Sequence, residues 1–167
     1  MTPADVFIDF FERVLENGVA VVGGLDDDEL AHRPGPEANS IAWLVWHAAR
    51  VQDAQVSDVA GTKQVWLTQG WVDRFGLDLD PNDTGYGHTS EDVVKVRASG
   101  DLLAEYLRAA HDATVDYLST VSEADLDRIV DERWDPPVTL GVRLVSIADD
   151  DAQHVGQAAY LRGLMER

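Results

Sequence analysis

Asp150 and His154 stand four residues apart in the stretch LVSIADDDAQHVGQAAYLRG, so on a helix a carboxylate and an imidazole leave the same face one turn apart. That spacing suits two ligands of one metal ion. The chain has no cysteine, which removes disulfides, thiolate ligands and a cysteine nucleophile, and leaves His, Asp and Glu as donors. Two imidazoles and one carboxylate satisfy a divalent transition metal while leaving positions open for water or substrate. His47 supplies the third ligand if its helix neighbours the one that carries His154. Blander readings stand beside this one. A lone His on an apolar helix face is more often a core residue bonded to a carbonyl than a ligand. The run Asp149-Asp150-Asp151 can be a solvated face or a partner for Arg143, and Asp151, three residues before His154, can take the place of Asp150. With 31 acidic residues, an Asp-x-x-x-His pair also arises readily by chance.

The elements that must position these residues read as helices. Thr2-Pro3 caps and opens a first helix, in which Phe7, Phe10, Phe11, Val14 and Leu15 recur at helical spacing until Gly23-Gly24 near Val22. After the acidic connection LDDDELAHRPGPEAN, a second long helix runs from Ser40 to Gly61. Its apolar face carries Trp43, Leu44, His47, Val51 and Ala54, whereas Arg50, Gln52 and Asp53 fall mostly elsewhere. A short helix and a Gly/Asp/Pro-rich loop follow, long enough to be functional, with Trp66, Trp71 and Phe75 as pocket walls or plain core. Ser90 opens another short helix, and Ser99 a third long one that ends near Val121. Ser122-Glu123-Ala124-Asp125 resembles a capping box, Asp135-Pro136-Pro137 breaks the chain, and Thr139 caps a last helix running to Arg167. On that helix Leu140, Leu144, Ile147, Asp151, His154, Ala158, Leu161 and Met165 form one stripe, edged by Asp150 and Gln157. No strand pattern competes. An all-α four-helix bundle with short extra helices in the connections follows, as one domain over residues 1–167.

A formal charge of -18 excludes a phosphate-backbone footprint, which needs clustered Lys and Arg, so no nucleic-acid partner is expected. No basic n-region opens the chain and no apolar run approaches the ~18–20 residues that span a bilayer, so a cytoplasmic protein without membrane contact is expected. Apolar residues on secondary faces would allow a homodimer. His32, His88 and His111 read as surface or capping groups, with His88 near a pocket mouth as the alternative.

SIAWLVWHAARVQD around His47, together with DDDAQHVGQAAYLRG, resembles the DinB-like superfamily, which includes YfiT-like metal hydrolase homologues and the mycothiol- and bacillithiol-dependent S-transferases and isomerases. The likeness spans nearly the whole chain. It implies up-down-down-up connectivity and a divalent metal, zinc or nickel first and iron or manganese next, held at His47, Asp150 and His154. Asp150 departs from the commonest pattern, which places histidine there; the mycothiol-dependent maleylpyruvate isomerase branch also places a carboxylate at that position, though a longer one. An anionic ligand lowers the Lewis acidity of the ion relative to a His-only site. The resemblance implies a divalent-metal-dependent thiol S-transferase or isomerase, with a low-molecular-weight thiol as cosubstrate and a small-molecule substrate. Three alternatives remain: a metal-dependent hydrolase, a non-haem iron oxygenase, which uses the same set of two His and one carboxylate, and a non-catalytic binding or stress-response bundle that has lost its metal. Gln157 would orient a ligand or bound water from behind.

Overall fold

The computed structural model describes residues 1–165. It is built on four long helices, α1 (Pro3–Val22), α3 (Ile41–Ala60), α7 (Gly100–Leu118) and α8 (Leu140–Met165). Four short helices occupy the connections: α2 (Asp27–Ala31), α4 (Val65–Thr68), α5 (Trp71–Phe75) and α6 (Ser90–Val93). The side-chain caps read from the sequence are present. Thr2 and Asp5 form a reciprocal capping box on α1, Ser40 accepts from the Trp43 amide, Ser99 from the Leu102 amide, and Thr139 from the Val142 amide. Helix α7 stops at Leu118, slightly before the expected Val121, and Ser122 and Asp125 cap a 3-10 turn over Glu123–Asp127. The expected end of the last helix at Arg167 lies outside the described residues.

Side-chain pairings fix the helix directions. Arg162 near the end of α8 donates to the carbonyls of Ala20, Val21 and Gly23 at the end of α1, so these two helices run parallel. Gly100 abuts Val22 and His111 faces Glu12, so α7 runs antiparallel to α1. Leu44 shares a groove with Gln157 and Leu161, while Val56 and Val59 share a buried cluster with Leu140 and Leu144, which makes α3 antiparallel to α8. The order is up-down-down-up, with α1 and α3 each seated between α7 and α8.

Two features differ from the sequence reading. A two-stranded antiparallel hairpin, β1 (Ile129–Asp131) with β2 (Val138–Thr139), precedes α8. Strands of two and three residues are too short to show alternation, which is why no strand was expected. Helix α3 is buried on almost every face, because the segment from Val65 to His88 packs over Arg50 and Asp53 while Gln52 donates to Thr114 of α7. Trp66, Trp71 and Phe75 in that segment are core, clustered on the fully buried Tyr106.

Candidate metal centre

Helices α3 and α8 bring His47, Asp150 and His154 together, with one ligand-capable atom from each lying within 4.8 Å of the others. The His47 Nε2 lies 3.8 Å from Asp150 Oδ2, and the His154 Nε2 lies 3.6 Å from Asp150 Oδ1. Both separations exceed a hydrogen bond. Asp151, the alternative carboxylate, does not join this group: it is fully buried, and neither of its oxygens has a hydrogen-bond partner.

Each imidazole is oriented from behind. The Nδ1 of His47 faces the backbone carbonyl of Thr84. A carbonyl only accepts, so the proton sits on Nδ1 and the Nε2 lone pair faces Asp150. The His154 Nδ1 faces Gln157 Oε1 at 3.4 Å, a long contact on the side away from Asp150. Trp43 stacks flat on His47, with ring centres 4.5 Å apart, and meets His154 edge-on.

Exposure rises across the trio, from 7% for the His47 side chain through 18% for His154 to 36% for Asp150, so the centre opens to solvent along α8. A groove of about 510 Å³ flanks it, lined by Asn39, Leu44, Gln157, Tyr160 and Leu161 among others. Charge is distributed accordingly. Burial holds His47 below the ordinary histidine value against the opposing Thr84 hydrogen bond, which favours the neutral, ligating form. The adjacent Asp150 carboxylate raises His154, and burial opposes it. Burial pulls the Asp150 carboxyl up, but the two histidines outweigh it and leave the group below the usual carboxylate range.

The donor set fits a divalent ion. Ligand atoms about 2.0–2.2 Å from such an ion stand roughly 3–3.5 Å apart, so a trio that spreads within 4.8 Å, with its 3.6 and 3.8 Å contacts made to opposite oxygens of Asp150, closes on an ion by side-chain shifts of up to about 1 Å. Asp150 Oδ2 is buried and has no hydrogen-bond partner, a state that costs about 1–3 kcal/mol unless something polar completes it.

Of the other histidines, His32 is exposed at the end of α2 as expected, whereas His88 and His111 are not where the sequence placed them. His88 is buried rather than a surface group, stacked on Trp46, with Nδ1 accepting from the Trp43 indole N–H and Nε2 donating to Asp83. His111 is buried as well, 3.3 Å from Glu12 across the α1–α7 contact. Arg143 pairs with Asp131 of the hairpin and not with the acidic run of α8. The contributions of Thr84 and Gly85 were missed altogether. Their only signal was the length of the Gly/Asp-rich loop, because a backbone carbonyl leaves no mark in side-chain spacing.

No helix among the described residues is long and apolar enough to cross a membrane. A crystal structure of a conserved protein from Enterococcus faecalis is similar to this chain at a TM-score of 0.91 and 36% identity, over 97% of this chain and 96% of that one. A comparison with curated proteins finds no match to the sequence. The family described as mycothiol-S-transferase matches residues 6–167. With nearly the whole length matched, the chain belongs to the mycothiol-S-transferase family.

Proposed function

We propose that the protein is a divalent-metal-dependent transferase that joins a low-molecular-weight thiol of the mycothiol type to an electrophilic small molecule, with His47, Asp150 and His154 as the metal ligands. The observation that carries this reading is the convergence of two imidazoles, one held with its lone pair inward, on a carboxylate oxygen that is buried and unpartnered. Zinc or nickel suits that donor set best, and iron or manganese follows. A divalent ion held there supplies a Lewis acid that lowers the pKa of a thiol, the nucleophile that a chain without cysteine does not possess.

The chain's own residues do the rest. Trp43 forms a flat apolar wall against His47 and keeps water from that side, where charge interactions are then stronger. The carboxylate of Asp150 offsets one positive charge at the centre and leaves solvent access on its own side, through which a thiol proton can depart. The groove beside Gln157 offers apolar cover from Leu44 and Leu161, with amide groups at its edge, and is the substrate's approach. No side chain at the centre is placed as a separate general base.

The test is thiol transfer from mycothiol to an electrophilic acceptor, measured after loading the protein with zinc, nickel, manganese or iron in turn. His47→Ala and His154→Ala are expected to abolish transfer while helix content, read by circular dichroism, is retained. Undiminished transfer by either variant refutes the assignment, and acceptor turnover that needs metal but no thiol replaces it with a hydrolase.

A further inference from the structure

A histidine can ligate through Nε2 only while its proton is on Nδ1, so whatever fixes that proton governs the ligand. In this protein the fixing group is not a side chain. It is the backbone carbonyl of Thr84, carried by a turn that belongs to neither helix of the centre.

That turn is built by three contacts. Asp83 Oδ1 accepts from the Gly85 amide at 2.8 Å, closing the chain around Thr84. Arg50, wholly buried one turn along α3 from His47, donates from Nε to the Asp83 carbonyl at 3.0 Å and holds the turn from below. His88 holds its far side. Its Nε2 donates to Asp83 Oδ2 at 2.9 Å, and its Nδ1 accepts from the Trp43 indole at 2.9 Å, which ties the turn back to the ring that stacks on His47. Both nitrogens of His88 are therefore committed, and it has no lone pair left for a metal.

Gly85 makes the fit possible. Its φ of +91° lies in the region that side chains rarely adopt, and a Cβ there would stand 2.6 Å from His47 Nδ1 and 3.1 Å from both Trp43 and Trp46. Any other residue would push into the ring that Thr84 orients.

We infer that the Asp83–Thr84–Gly85 turn, anchored by Arg50 and His88, is a positioning device that sets the tautomer and direction of the His47 ring. Its bearing on metal affinity rests on the ligand role proposed above for His47, whereas its effect on the ring does not. Groups that orient a ligand from behind typically govern metal affinity by about 10–100-fold, and the same scale is expected here.

The experiment uses the whole chain, labelled with 15N and studied without metal at roughly pH 8, above the ordinary histidine value. Ring nitrogen shifts of His47 report which nitrogen bears the proton. The wild type should show a protonated Nδ1 and an unprotonated Nε2. Asp83→Ala should shift this toward a mixture of tautomers and lower zinc affinity, measured by competition with a chromophoric chelator, by about 10–100-fold. Asp83→Asn retains the oxygen that accepts from Gly85 but turns an amide N–H toward the His88 Nε2–H, so it should recover the wild-type tautomer and affinity only in part, between Asp83→Ala and the wild type. Gly85→Ala should disturb the ring further, and if it does not fold, the two Asp83 variants still decide. Unchanged His47 shifts and unchanged zinc affinity in folded Asp83→Ala overturn the inference. Wild-type protein that takes up no zinc, with the tautomer still lost in Asp83→Ala, upholds the positioning role and removes the ligand role instead.

Discussion

Two polar clusters sit one turn apart on α3 and have been finished differently. Around Arg50 every group but one has been given a partner. Its Nη1 donates to Gln64 and to the Tyr106 hydroxyl, while Tyr106 and the Val65 and Trp66 amides donate to Asp53; Nη2 alone makes no hydrogen bond, and the guanidinium carbon lies 4.8 Å from the centre of the Trp66 ring. These groups are buried, and the cluster joins α3 to α7 and caps α4 from outside its own sequence. Around His47 the rings have been oriented from behind, but their Nε2 atoms stand 3.6 and 3.8 Å from the Asp150 oxygens, beyond a hydrogen bond, and Asp150 Oδ2 has been left without a hydrogen-bond partner. Two oriented imidazoles beside an orphaned carboxylate oxygen are the pattern expected of the metal centre proposed above, since a half-satisfied polar cluster is costly unless something completes it.

That contrast can be broken at its structural end first. Arg50→Ala removes the positive charge beside buried Asp53, leaving that carboxylate to neutral hydrogen-bond donors, and takes away the donor to Gln64, Tyr106 and the Asp83 carbonyl, so it should cost about 3–5 kcal/mol in denaturant unfolding. A loss under about 1 kcal/mol would mean that the network is no more essential to the fold than a surface pair. Asp151→Leu removes a buried carboxyl with no partner, so it should raise stability by about 1–3 kcal/mol and leave zinc uptake intact. If zinc uptake is lost instead, Asp151 has been misassigned and the carboxylate ligand is not Asp150. His154→Ala, at a half-open position, should change unfolding stability by less than about 1 kcal/mol, which separates the centre from the Arg50 cluster.

The smallest effect concerns pH. Asp131 is held well below the usual carboxylate range by the Arg133 guanidinium and then by Arg143, so its contribution is present above about pH 4 and fades as the pH falls through its lowered folded value. Asp131→Asn should therefore be less stable than wild type at neutral pH, with the difference shrinking in acid. A difference that stays constant down to pH 2 would show that the ion pairs are not its source.

Much of this was legible in residue order. The caps at Thr2, Ser40, Ser99 and Thr139 and the 3.6-residue stripes on α1, α7 and α8 gave the bundle, because both signals are local. His47 and His154 stood out for the same reason, as ligand-capable groups on apolar faces. What stayed hidden depends on contacts between distant segments. Arg50 and Asp53 read as lying off the apolar face because nothing near them in the sequence announces the loop that covers them. His88 and His111 are buried through partners 45 or more residues away, Trp43 for one and Glu12 for the other. The choice between Asp150 and Asp151 needed the rotation of α8, which spacing alone leaves open by one residue.

The central claim is that His47, Asp150 and His154 hold one divalent ion, and elemental analysis tests it most directly. The whole chain is incubated with zinc, nickel, manganese and iron in turn, dialysed against metal-free buffer, and its metal content measured beside that of His47→Ala and His154→Ala. The account predicts about one ion per chain in the wild type and none retained by either variant. A wild type that retains no ion, or variants that retain as much as the wild type, would contradict it.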